Sequence, residues 1–296
     1  MRFPFSFVLP ISAAITTLFV LLIVLARLGL ASSGEEIAYE DQSNGNWEIS
    51  VLDLQTGVEH NLTASSSDEL TPAWSPDGQQ IAFISETSNH MQSGLYLMNA
   101  DGSNPHQISS ASDIYRDPIW SPDGQSVVLM HGYAQIVLVD THNSAEHWLG
   151  VGFAPRISPD GRQVLYYDSA PNNSPSDHLY VLNLATHIAN DLTPGTDHDW
   201  DGKWSPDGRH IAFTSTRNGK AAIYTMNADG SEQRAITGSD NDVTPAWSPD
   251  GRQIVYAGGD SSAMQLYIMN ADGTGARQIT FSDGNKHAPA WRPQSR

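Results

Sequence analysis

The chain predicts an all-β fold: a six-bladed β-propeller of four-stranded antiparallel blades, preceded by one N-terminal membrane helix or signal sequence. Three observations carry this. The string Trp-Ser-Pro-Asp-Gly stands intact at Trp74–Gly78, Trp120–Gly124, Trp204–Gly208 and Trp247–Gly251, with Ile157 replacing Trp in a further copy and Trp291-Arg292-Pro293 as a truncated last one. Copies recur at roughly 37–47 residues, the period of a propeller blade. Each is followed by short runs of β-branched and aromatic residues separated by turn residues, the pattern of a strand meander.

Within one repeat the elements follow in order. Thr71-Pro72-Ala73-Trp74 is the opening strand, and Ser75-Pro76-Asp77-Gly78 reads as a type I turn, with Pro presetting φ and Gly closing it. Ile81-Ala82-Phe83-Ile84 is the second strand and Leu95-Tyr96-Leu97-Met98 the third. A second turn, Asn99-Ala100-Asp101-Gly102, returns as Asn227–Gly230 and Asn270–Gly273, and a short fourth strand ends near Ile108. A sheet of this size cannot bury both faces alone, so blades must pack around an axis with the repeated Trp between neighbours.

The chain ends predict how the ring closes. Residues 36–63 supply the second to fourth strands of a blade without an opening strand, and residues 288–293 supply an opening strand without a blade. Together they form a sixth blade, which removes an exposed sheet edge. The third copy is irregular: Ile157 replaces Trp, the blade before it is the shortest, and Pro171–Asp177 lengthens its loop.

The two turns resemble the TolB-like repeats of exported six-bladed propellers, which also occur in propellers attached to prolyl oligopeptidase-type enzymes. The resemblance spans about Glu36 to Arg296 and is specific to the repeat. It implies the fold and an extracytoplasmic setting, and it leaves the activity open.

Domain organisation follows as an N-terminal segment, 1–31, and a propeller, 35–296. No charge falls between Phe3 and Ala26, and Arg2 and Arg27 flank a run long enough to span a bilayer. An uncleaved single-pass anchor is expected, because the run exceeds a signal-peptide core; a cleaved signal ending at Gly29-Leu30-Ala31 is the competing reading and would make the protein secreted. Either way the propeller is expected on the extracytoplasmic, periplasmic or extracellular, side of the cell membrane. The absence of cysteine excludes a lipid-anchored lipoprotein.

Net charge is −18, and the lysines are Lys203, Lys220 and Lys286. Such a surface repels nucleic acid and suits a basic partner or a divalent cation. Asp197-His198-Asp199-Trp200-Asp201-Gly202 matches the first half of a calcium loop, with Asp197, Asp199 and Asp201 as candidate ligands; the alternative is a solvated acidic turn. No other cofactor is expected. Segments preceding the opening strands are expected to ring the channel mouth as a mostly acidic collar. Its candidate ligand-binding residues are Asp68, Glu69, Arg116, Asp117, Asp199, Asp242, Lys286 and His287.

There is no Gly-x-Ser-x-Gly elbow, no His-Glu-x-x-His motif and no phosphate-binding glycine loop. The Asp of each turn recurs too regularly to be a catalytic set. The expected function is therefore a non-catalytic, membrane-anchored platform for a protein partner in the cell envelope or another ligand. The alternatives are a metal-assisted lyase or hydrolase acting on polysaccharide or peptide at the channel mouth, or a regulatory propeller for a separate peptidase.

Overall fold

The computed structural model describes residues 35–294, apart from 88–91, 110–112, 170–175, 196, 239–240 and 261. The N-terminal segment 1–31 and most of the lengthened Pro171–Asp177 loop lie outside these. Among the described residues no helix is long and apolar enough to cross a membrane.

Among the described residues, twenty-four strands form six four-stranded sheets. The first blade comprises β4 (Asp68–Trp74), β5 (Gln80–Glu86), β6 (Ser93–Asn99) and β7 (His106–Gln107). The second holds β8 (Tyr115–Trp120), β9 (Ser126–His131), β10 (Gln135–Asp140) and β11 (Glu146–Val151), and the third β12 (Phe153–Ile157), β13 (Gln163–Ser169), β14 (Asp177–Asn183) and β15 (Ile188–Asp191). The fourth runs β16 (Asp199–Trp204), β17 (His210–Ser215), β18 (Ala222–Asn227) and β19 (Arg234–Ala235). The fifth runs β20 (Val243–Trp247), β21 (Gln253–Gly258), β22 (Gln265–Asn270) and β23 (Arg277–Gln278). The closing blade joins the two ends of the propeller: β24 (Lys286–Trp291) pairs antiparallel with β1 (Glu36–Asp41), followed by β2 (Glu48–Asp53) and β3 (Val58–Asn61). The shared sixth blade expected from the sequence is thus present.

Successive inner strands touch around the ring, β4 to β8 to β12 to β16 to β20 to β24 and back to β4, which defines a central axis. The core is correspondingly divided into six apolar clusters, one at each seam between neighbouring blades. Trp120, Trp204, Trp247 and Trp291 each donate their indole Nε1–H, at 3.1–3.2 Å, to a carbonyl on the inner strand of the preceding blade. Each such bond adds direction to an otherwise non-directional packing.

The turns are as expected. In all five complete copies the Ser Oγ donates to the Asp Oδ1 at 2.6–2.7 Å, and the Gly adopts a positive φ of 67–73°. Each of Gly124, Gly161, Gly208 and Gly251 lies against the Pro of the preceding turn, so the turns stack in a ring. At Gly78 that place is filled by Arg292 and Pro293 of the truncated copy. Arg292 also lies over the Trp74 ring at 4.9 Å and donates to Gly78 O and Glu36. It compensates the one indole of this set, Trp74, whose Nε1–H has no protein acceptor.

Candidate functional site: the axial channel

All six inner strands carry the same distortion. Thr71, Asp117, Ala154, Asp201, Thr244 and Ala288 have left-handed backbones, with φ of 43–56°, and the ladder to the second strand slips there in every blade. The next residue is Pro in five blades and Gly202 in the sixth, all buried. This is a β-bulge: the extra unpaired residue reverses the side-chain alternation that a regular strand would keep. Left-handed non-glycine residues cost on the order of 1 kcal/mol each, so six of them mark a fixed device of this ring.

The bulge rearranges the collar. Two residues before it stand Glu69, Tyr115, Gly152, Asp199, Asp242 and Lys286, and all six are buried. One residue before it stand Leu70, Arg116, Phe153, Trp200, Val243 and His287, all half-buried. The half-buried position is therefore mainly apolar and aromatic, and the acidic side chains Glu69, Asp199 and Asp242 fall at the buried one. Phe153 stacks on Tyr167 at 5.4 Å and meets the exposed Tyr133 at 6.2 Å, while Trp47 meets the edge of His287 at 5.6 Å. Burial lowers the His287 pKa, which favours a neutral ring.

The buried members hold the blades. Asp199 accepts both of its Arg217 contacts at 2.8 and 3.0 Å, and that guanidinium lies over Tyr224 at 4.8 Å. Lys286, fully buried, donates to Asp41 at 2.6 Å and to Asp283 O at 2.7 Å. Of the other collar residues, Asp68 accepts from the Trp47 amide at 2.9 Å and Arg116 pairs with Glu86 at 3.0 Å. Of the string Asp197, Asp199 and Asp201, Asp199 is bonded by Arg217 and Asp201 is the left-handed bulge residue. Among the described residues no group of three or more His, Asp or Glu side chains is placed to hold a metal ion.

The axis instead collects a charge cluster that sequence reasoning missed. Glu40 of the closing blade feels the charges of Asp117 in the second blade and Asp201 in the fourth. Lys203 of the fourth blade feels Arg156 in the third and Asp117 in the second. Only the ring axis brings residues from these blades so close. Burial pushes Glu40 up to about 7, partly offset by the Thr71 amide that donates to it at 2.7 Å. Burial also raises Asp201 and lowers Lys203, although the two oppose each other's shift.

Arg156 Nη1 donates to Pro155 O at 2.8 Å and Asp117 O at 3.3 Å, and Nη2 stands 3.8 Å from the Asp117 carboxylate. Among the described residues, five inner-strand atoms have no protein partner despite burial: Trp74 Nε1, Glu69 Oε2, Arg156 Nε, Thr71 Oγ1 and Thr244 Oγ1. The signal that could have found the cationic pair is the column two residues after the bulge. It reads Ala73, Ile119, Arg156, Lys203, Ala246, Ala290, with two cations among small or apolar residues.

A Ser176–His178–Asp191 alignment elsewhere resembles a hydrolytic triad, with 2.8 Å between His178 Nδ1 and Asp191 Oδ2. Ser176 is fully buried, and His178 Nε2 lies nearer to Gly195 O (3.1 Å) than to Ser176 Oγ (3.4 Å). This geometry pins the 194–195 turn and presents no nucleophile.

A family model described as the TolB beta propeller domain matches residues 29–149 and again 136–296. The chain belongs to the TolB β-propeller domain family. It is 30% identical, over 67% of its length and 46% of the relative's, to a TolB homologue of Chlorobium luteolum. It is 25% identical, over 56% of its length and 20% of the relative's, to dipeptidyl-peptidase 5 of Porphyromonas gingivalis. The chain thus spans less than half the length of these curated relatives. The crystal structure of TolB from Acinetobacter baumannii superimposes with a TM-score of 0.78 at 23% identity, covering 92% of this chain and 70% of that one, a likeness of fold.

Proposed function

We propose that this TolB-type propeller is a non-catalytic docking ring of the cell envelope, held at the membrane by its N-terminal segment. Its axial channel receives an extended segment of a protein partner. The observation that carries this reading is the set of buried inner-strand polar atoms without protein partners, Arg156 Nε, Thr71 Oγ1 and Thr244 Oγ1, on strands whose half-buried positions carry Phe153, Trp200 and His287. Unpaired buried donors and acceptors are costly unless something else bonds them, and aromatic rims supply contact area at low entropic cost. The acidic balance of the whole surface favours a partner with basic flanks.

A photo-crosslinking residue at Trp200, in native membranes, should capture one reproducible protein. The same probe at the exposed Trp148 of β11 should not, and Arg156→Ala should abolish capture while the propeller stays folded. Equal capture at both positions, or none at Trp200, removes the proposal.

A second reading is favoured by Glu40, Asp201 and Lys203, whose proton affinities burial shifts toward neutrality, a property of acid–base sites. Under that reading the channel cleaves a polysaccharide or peptide by general acid–base chemistry. Turnover of such a substrate that Lys203→Met abolishes without loss of fold would establish it in place of the docking ring.

A further inference from the structure

The seam between the closing blade and the first blade holds two buried carboxylates that, among the described residues, no cation neutralises. Glu48 opens β2, Glu69 lies on β4, and both are 3% exposed. Glu48 accepts from Thr63 Oγ1 at 2.6 Å, Asn46 Nδ2 at 3.1 Å and the Ser65 amide at 3.3 Å. Glu69 Oε1 accepts from Ser65 Oγ at 2.7 Å and Ser85 Oγ at 3.1 Å. Ser65 thus bonds both acids, its amide to Glu48 and its hydroxyl to Glu69, and the buried Glu69 Oε2 has no donor.

Comparison with the other blades shows what this seam lacks. The buried acid in the equivalent place of the fourth blade, Asp199, is held by Arg217. In the closing blade the place is taken by Lys286, held by Asp41. In the first blade Thr87 stands where the fourth has Arg217, and the acid faces another acid. The neighbouring charges are all engaged elsewhere. Lys286 is on Asp41, Arg116 is on Glu86, Asp68 caps the Trp47 amide, and Glu40 accepts from Thr71. His287, on the packed β24, is disfavoured as a cation by its burial.

We propose that a single proton bridges Glu48 and Glu69, clasping the closing blade to the first blade, and that its loss as pH rises loosens this seam. Two like charges in a desolvated site cannot both ionise without repulsion, and a proton on either carboxyl supplies the donor that Glu69 Oε2 lacks. Burial and the neighbouring Glu48 both raise the Glu69 pKa above its ordinary 4.5. The folded chain therefore binds more protons here than the unfolded one. The clasp is complete below the ordinary carboxylate range and is lost as pH climbs above it. The backbone links Glu69 N–H to Trp47 O at 2.8 Å, so the loosened segment borders the channel rim beside His287.

The test is the melting temperature of the full chain between pH 5 and pH 8, for the unmutated protein, Glu69→Gln, Glu48→Gln and Glu232→Gln. A glutamine keeps the donor of the protonated acid and does not titrate. The exposed Glu232 controls for the change in net charge. Either seam variant should shrink the fall in Tm from pH 5 to pH 8 by on the order of 2–4 °C, with the Glu232 variant falling as the unmutated chain does. Seam variants that fall as far as Glu232→Gln overturn the proposal. So does a rise in Tm with millimolar calcium that Glu69→Gln abolishes, because a metal would then bridge the pair. If one seam variant does not fold the other decides, and hydrogen exchange of 62–71 in the unmutated chain, corrected for intrinsic rates, should lose protection between pH 5 and pH 8 while 178–183 does not.

Discussion

Arg292 does at one seam what an indole donor, a turn proline or both do at the others. Its guanidinium covers Trp74, bonds Gly78 O and Glu36, and fills the contact made by a turn Pro elsewhere. Arg292→Ala should therefore cost about 2 kcal/mol, the sum of a partly buried cation–π contact and two hydrogen bonds, measured as a shift in urea midpoint at unchanged slope. The departure of Trp-Arg-Pro from Trp-Ser-Pro is visible in the sequence, whereas its purpose is not, because the ring Trp74 lies more than two hundred residues earlier. The same holds for Asp199. As a member of an alternating acidic string it reads as a calcium ligand, and Arg217, eighteen residues on, claims it. Spacing reveals which side chains a regular strand would align. It does not reveal the partner from the next strand.

At the scale of strands, the bulge separates what was legible from what was not. Turn chemistry, strand order and the shared blade all follow from local patterns, and each is present. The facing of the collar residues does not follow, since one extra residue exchanges the two sides of a strand. A clue was available: Pro72, Pro118, Pro155, Pro245 and Pro289 interrupt the opening strands, and Pro within a strand is confined to edge strands and bulges. The seams also differ in strength. That between the second and third blades has four buried apolar residues, Val128, Ile136, Val164 and Leu182, and Ile157 supplies no indole donor. Amides of β12 and β13 should exchange faster than those of β16 and β17, as read by hydrogen–deuterium exchange at neutral pH; equal protection would show that seam composition does not govern local opening.

For the molecule as a whole, opposing sets of carboxyls shape the dependence on acidity. The turn aspartates Asp77, Asp123, Asp160, Asp207 and Asp250 are held below their ordinary 3.8, chiefly by the Ser hydroxyl of the same turn. Their contribution is present above that value and is lost as pH falls through the depressed range. Glu40 behaves oppositely: raised from 4.5 to about 7 by burial, it favours the fold below 4.5 and ceases to as pH passes neutrality. The growing negative charge, −18 at pH 7, adds repulsion in the same direction. Tm should therefore peak in mildly acidic solution, between about 4 and 6, and fall on both sides. A Tm still rising from pH 6 to pH 8 would contradict this account.

The pairing of Ile37 with Trp291 has a consequence for how the protein is made. A ribosome adding about 5–20 residues per second needs on the order of ten seconds or more to travel between these two positions. Throughout that interval β1 offers an unfilled edge, with Ala38 and Tyr39 already shaped for a neighbour that does not yet exist. Any other extended chain nearby competes for the vacancy, including β24 of a molecule finished slightly earlier. Exchange of that strand between two copies would satisfy every hydrogen bond of the closing blade while linking the rings, so slow synthesis and crowding both favour dimers held by a borrowed strand.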